Sequence, residues 1–157
     1  RWVEDIQDGE FALDFVSAFE VLEHVFDPVA FLGACRRLLR PGGLALVTTL
    51  TISGFDLQVL GEASRSITPP QHLNFPSVAA VEAFASRVDL ELVDLSTPGQ
   101  LDVDIVRNVL RDRPDAVRDA FARSIASADE PTRLDFQRFL QTHQRSSHLR
   151  CVFRRPR

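Results

Sequence analysis

The chain has 157 residues, 45% apolar and 25% charged, with 22 acidic side chains against 18 basic ones. That is enough chain for one globular domain with its own core. The net charge of −4 gives no electrostatic reason for nucleic acid or an anionic membrane to be the main partner. No apolar run reaches the roughly 20 residues of a membrane span, and no signal peptide opens the chain, a pattern that fits a cytoplasmic protein. Two cysteines, Cys35 and Cys151, make no disulfide framework. The chain contains no Met and begins at Arg1, so it reads as a piece of a longer protein. All 18 basic residues are Arg, which excludes a P-loop lysine from this segment.

In chain order, Asp14 to Phe19 is short, apolar and β-friendly, and reads as a strand. Asp27 followed by Pro28 is a helix start: a carboxylate for the free N–H groups and a proline pre-set for the first turn. Phe31, Leu32, Cys35, Leu38 and Leu39 then form one buried helical stripe. Pro41-Gly42-Gly43 ends that helix and turns the chain. Leu44 to Leu50 is a nearly continuous apolar strand, as expected where helices cover both faces of a sheet. This βαβ unit predicts parallel strands with a right-handed crossover. From Thr51 to Pro76 there is no clear periodicity beyond a short helical turn near Leu57 to Leu60, and such stretches are often binding loops or lids.

Ser77 caps a further helix that buries Val78, Val81, Phe84 and Ala85. Leu90 to Ser96 is another strand. Three amphipathic segments follow. The first spans about 102–111 and buries Val106, Val109 and Leu110. The second spans 114–127 and buries Val117, Phe121 and Ile125. The third starts near Pro131 and buries Leu134, Phe136, Phe139 and Leu140. Ser147 to Arg154 alternates as a final strand, and Arg154, Arg155 and Arg157 read as a frayed basic terminus. Nothing splits the chain: residues 1–157 form one partial domain, with a helical insertion over 97–143.

The run Phe15 to Pro28, with its Glu20-Val21-Leu22-Glu23-His24 segment, followed by Leu38-Leu39-Arg40-Pro41-Gly42-Gly43, resembles the class I S-adenosylmethionine-dependent methyltransferases. Three further runs resemble a subgroup associated with surface-polysaccharide biosynthesis: Gln71-His72-Leu73-Asn74-Phe75, Ser96 to Val106, and Ser146-Ser147-His148-Leu149. The resemblance implies an α/β, Rossmann-like methyltransferase fold, here strands four to seven, with an antiparallel last strand and a helical insertion before it. It also implies methyl transfer from S-adenosylmethionine to an oxygen or nitrogen of a small-molecule or sugar acceptor. The family's acidic-x-G-x-G-x-G loop is absent. Glycines are needed there because the backbone passes close to the cofactor. An inactive fragment or decayed, non-enzymatic domain is therefore the alternative reading.

By the same resemblance Phe19, Glu20 and Glu23 line the cofactor's methionine end, and Asp5 matches a residue near its adenine amine. In open α/β sheets, ligands sit beyond the C-terminal strand ends, where Glu20 falls. A carboxylate there favours a sulfonium, although a solvated loop carboxylate would look the same. Glu23 and His24 are adjacent and point about 100° apart on a helical turn, so they are unlike in role. His24 and His72 are the candidate bases for the acceptor proton, since imidazole titrates near neutrality. Structural hydrogen bonding is the competing explanation for both. Asn74 is a candidate to orient an acceptor hydroxyl. Ser147 and His148 read as structural, His143 as solvated and Cys35 as core. The four His residues lack zinc-site spacing, and no G-x-S-x-G motif is present.

Overall fold

In the computed structural model, which describes residues 3–157, four strands form one sheet: β1 (Leu13–Phe19), β2 (Leu39–Leu50), β3 (Glu91–Ser96) and β4 (His148–Arg154). Their order is β1-β2-β4-β3. β1 and β2 are parallel, and β4 runs antiparallel to both β2 and β3. The antiparallel last strand is as expected, and it lies inside the sheet. The crossover from β1 to β2 is α1 (Pro28–Leu38), whose Asp27 carboxylate accepts from the Val29 and Ala30 N–H groups at 2.9 and 3.0 Å. Ser77 caps α3 (Val78–Arg87) in the same way, through Ala80 N–H.

β2 begins five residues earlier than the apolar run suggests. Pro41-Gly42-Gly43 lies within it as an irregularity, so that Leu13 faces Leu39 while Phe15 faces Leu44. A Cβ on Gly43 would sit 2.9 Å from the Leu13 carbonyl oxygen, so glycine is what lets β1 approach. The C-terminus is not frayed. Arg155 exchanges backbone hydrogen bonds with Gly42 and Gly43, and its guanidinium donates to the Leu39 carbonyl at 2.8 Å and the Arg36 carbonyl at 3.3 Å. Both carbonyls lie at the end of α1, where a cation is favoured by the helix dipole.

The main core joins α1 and α3 to one face of the sheet, through Leu32, Cys35, Val81, Ala85, Val47, Leu149, Cys151 and Phe153. The opposite face differs from expectation. Phe15 and Phe19 are 52% and 59% exposed, beside half-buried Leu44 on the same pleat. Helices cover one face of this sheet among the described residues, not both.

A second, separate core holds Leu60, Val106, Val109, Val117, Ala122 and Ala126. It packs α2 (Phe55–Leu60), from the long loop, against α4 (Asp102–Asp112) and α5 (Ala120–Ala126), which precede α6 (Glu130–Thr142). The single helix expected over 114–127 is broken. One 3-10 turn (Pro114–Ala116) gives way to extended backbone at Val117, which is fully buried, and Asp119 then caps α5. Phe121, Leu134 and Phe139 are consequently exposed, and Gln137 is buried in their place.

Gln137 is buried because it serves Asp102, which is 1% exposed at the start of α4. One Asp102 oxygen accepts from Gln137 Nε2 at 2.7 Å and Ser146 Oγ at 2.6 Å, and the other from Ser147 N–H at 2.6 Å. The Ser96-to-Val106 and Ser146-Ser147-His148 runs therefore meet at one carboxylate, which ties α4, α6 and the start of β4 together. Two glycines make this approach possible. A Cβ on Gly99 would meet Ser146 Oγ, and one on Gly54 would meet the Ser147 backbone. Asp56, on α2, is also 1% exposed, and neither of its carboxylate oxygens has a hydrogen-bond partner among the described residues. Burial first, and then the charge of Asp102, outweigh the opposing pull of the Ser147 hydroxyl and push its pKa from 3.8 to about 6.

Two predictions follow from this joint. Gly54→Ala forces backbone against backbone and lowers stability by roughly 3 kcal/mol. Gly33→Ala, within α1 and 3.6 Å from its nearest side-chain atoms, raises it by about 0.5–1 kcal/mol. Paired urea titrations would show the opposite signs. For Asp56 the folded-state pKa lies above the unfolded one, so the native state holds the extra proton and stability falls as pH rises from about 4 to about 6. Asp56→Asn removes that loss. The melting temperature of the variant minus that of the native sequence should grow across this interval and level off above it; a constant difference would show that Asp56 does not titrate this way.

Candidate active site

The parallel strands β1 and β2 end at one edge of the sheet, and antiparallel β4 begins there. Glu20 leaves β1 with φ +53°, a left-handed conformation costing a non-glycine residue about 1–3 kcal/mol. Its N–H donates to the Thr48 carbonyl at 3.0 Å. The Thr48 hydroxyl donates in turn to Glu20 Oε1 at 2.7 Å. The same oxygen lies 3.4 Å from His148 Nδ1, and both side chains are about two-fifths exposed. The strained residue thus holds a carboxylate across the ends of three strands. His148 belongs to this edge, although the sequence reading made it structural. The signal was available: in an antiparallel last strand the first residues, not the last, reach the ligand edge.

The next turn carries Glu23 and His24, and their roles do diverge. Glu23 is 2% exposed and accepts from the Thr49 hydroxyl at 2.8 Å. Its carboxylate ties the turn to β2 from inside. Its backbone carbonyl accepts from Leu73 N–H at 2.7 Å and Asn74 N–H at 3.2 Å. The Asn74 amide nitrogen also donates to the Val25 carbonyl. The Gln71-to-Phe75 segment is therefore clamped onto the Glu20-to-His24 segment, so two motifs some fifty residues apart form one surface. In Asn74, the Nδ2 donor is engaged in this clamp.

His24 and His72 come together on that surface, with ring centroids 4.8 Å apart. His24 Nδ1 lies 2.7 Å from the Gln71 carbonyl oxygen, and His72 Nδ1 faces the Ser66 carbonyl oxygen. A carbonyl only accepts, so each Nδ1 carries the hydrogen and each Nε2 keeps its lone pair. Beside His24 lies an open, mainly apolar pocket of about 560 Å³, lined by Val3, Val21, His24, Phe26, Ala30 and Phe31 among others. Asp5 is exposed in the 3-10 turn Val3–Asp5 that contributes Val3 to the pocket. Phe19 is exposed on the helix-free face of β1. Cys35 is buried in the core, as expected, and Cys151 is buried in β4, where burial and the Asp94 charge push its thiol up to about 12. A thiol so raised is a poor nucleophile.

No helix among the described residues is long and apolar enough to cross a membrane. The fold matches solved methyltransferase structures. A methyltransferase of Haloferax volcanii, solved in complex with the Trm112 methyltransferase activator, has a TM-score of 0.60 at 17% identity, covering 99% of this chain and 59% of that one. Phosphoethanolamine N-methyltransferase 2 of Haemonchus contortus, solved with phosphomonomethylethanolamine and S-adenosylhomocysteine, has a TM-score of 0.54 at 16% identity, covering 99% and 36%. In sequence, the ubiquinone biosynthesis O-methyltransferase of Xanthomonas oryzae pv. oryzae is 38% identical over 103 residues, 60% of this chain and 42% of that protein. The chain thus spans less than half the length of the curated relative it matches. The model of the methyltransferase domain family matches residues 3–95, more than half of the chain, and the chain belongs to that family.

Proposed function

We propose that the protein carrying this chain transfers a methyl group from S-adenosylmethionine to an oxygen of a small hydroxylated acceptor. The observation that carries this reading is the His24–His72 pair: two imidazoles, each with Nε2 left basic by a carbonyl at Nδ1, beside an apolar pocket beyond the C-terminal end of β1. Oxygen, rather than nitrogen, is favoured by the O-methyltransferase relative; a sugar acceptor rests on the subgroup resemblance alone. The residues present fit the donor's sulfonium end. The pocket offers apolar walls, and the Glu20 carboxylate offers an opposite charge nearby in sequence. Asp5, on the turn that contributes Val3, is the candidate for the nucleoside side by the family resemblance. When bound, the donor supplies an electrophilic methyl group.

The chain's own residues then have three tasks. They hold the acceptor in line, an effect that can supply roughly 7–11 kcal/mol of a barrier. They take its proton, worth typically about 10²–10⁴-fold. They exclude water, a task that suits the unit built by α2 with α4 and α5. The exposed Phe15 and Phe19 favour a second reading of these 157 residues by themselves, as a piece that lacks activity without further covering of that face.

In the full-length protein, His72→Ala should lower turnover by about 10²-fold or more, with S-adenosylmethionine affinity by calorimetry changed less than threefold. Unchanged turnover would remove His72 from the acceptor site. The 157-residue chain alone should bind the donor weakly or not at all, and micromolar affinity for it would overturn the second reading.

A further inference from the structure

Three imidazoles reach the ligand edge of the sheet, and their backing differs. His24 and His72 each present Nδ1 to a peptide carbonyl. His148 presents Nδ1 to a carboxylate, Glu20 Oε1, at 3.4 Å. That carboxylate is itself fixed by the Thr48 hydroxyl at 2.7 Å and by the left-handed backbone of Glu20. His148 in turn is fixed from behind, since Ser146 and Ser147 are held by buried Asp102. A carbonyl can orient a neutral imidazole. A carboxylate also stabilises the imidazolium that forms once the ring has taken a proton. The other charged groups nearby on β4 and β3 are Arg150 and Asp94, which pair with each other at 3.6 Å.

We infer that Glu20, Thr48 and His148 form a carboxylate-backed proton acceptor for the transferred acceptor group, with His148 Nε2 as the base and Glu20 as its positioning residue. His24 and His72 then hold the acceptor rather than finally accept its proton. The inference rests on the methyltransferase reading above. In the step, the acceptor oxygen bonds to the methyl carbon and the carbon–sulfur bond breaks, its electron pair remaining on sulfur. The acceptor proton passes to His148 Nε2. The positive charge thus leaves sulfur and arrives on an imidazole that faces Glu20.

Two measurements on the full-length protein test this. The first uses S-adenosylmethionine with catechol as the acceptor probe. His148→Gln should lower kcat by about 10²–10⁴-fold, with donor affinity unchanged within threefold, and should abolish the acidic limb of the kcat–pH profile. Glu20→Gln should lower kcat by roughly tenfold. Native-like kcat in His148→Gln, or an acidic limb that survives in it, overturns the proposal. The second needs no acceptor: ¹⁵N imidazole spectra should show His148 as the Nδ1–H tautomer, and Glu20→Gln should weaken that preference. An Nε2–H tautomer at His148 also overturns the proposal. If the native protein neither binds the donor nor methylates catechol, while the tautomer is as expected, it is the methyltransferase reading that fails and the dyad that stands.

Discussion

The structure depends on one buried carboxylate. Asp102 takes three hydrogen bonds at 2.6–2.7 Å from α6 and from the two residues before β4. A buried charge is tolerated only when its oxygens are satisfied, and here that requirement dictates geometry. Ser146 and Ser147 can reach Asp102 only if the chain enters β4 at one height. Gly54 and Gly99 must be without side chains for the surrounding segments to come that close. The register of β4 against β2, Leu50 opposite His148 and Thr48 opposite Arg150, is thus fixed from the end at which the site lies. An apolar contact in the same place would tolerate sliding; three short hydrogen bonds to one carboxylate do not.

The same constraint explains why the edge of the sheet carries chemistry. β1 and β2 deliver their last residues there because they are parallel. β4 delivers its first residues there because it is antiparallel and lies between β2 and β3. Glu20, Thr48 and His148 come from three strands distant in sequence and meet within 3.4 Å. The strain at Glu20 has a place in this arrangement. A glycine would adopt φ +53° more cheaply, but it would bring no carboxylate to Thr48 and His148.

Much of this was legible in the sequence where local chemistry decides structure. Asp27-Pro28 and Ser77 cap their helices as their residue types require, and the spacing of the Glu20-to-His24 run from Pro41-Gly42-Gly43 located β1, α1 and β2. Legibility failed where tertiary contact overrides local pattern. The 114–127 segment has a helical period, yet Val117 is drawn into the second core in extended form, and Phe121 turns outward. The burial of Gln137 answers a buried carboxylate 35 positions away, which nothing local in the sequence announces. Arg155 looks solvated because its partners, the Arg36 and Leu39 carbonyls at the end of α1, lie more than a hundred residues earlier. In the site, His24 and His72 were named from their motifs, but their meeting depends on the Leu73 and Asn74 clamp onto Glu23. His148 was passed over because its strand was read for packing rather than for direction.

The two cores divide the molecule by role. The sheet, α1 and α3 share one apolar cluster, and Glu20, Thr48 and His148 hang from it through β1, β2 and β4. α2, α4 and α5 share another, joined to the first by the Asp102 joint and by the long loop that carries His72. Substitutions in α5 can reshape a cover without touching the Asp102 joint, since the two clusters have no buried residue in common. Under the proposed function, this separates the part that handles the proton from the part that selects the acceptor. Selectivity can then drift while the Glu20–Thr48–His148 geometry is preserved. Asp56 sits where the two parts meet, on α2 against Ser147 and Asp102, and its unpartnered carboxylate weakens that seam as it ionises near pH 6.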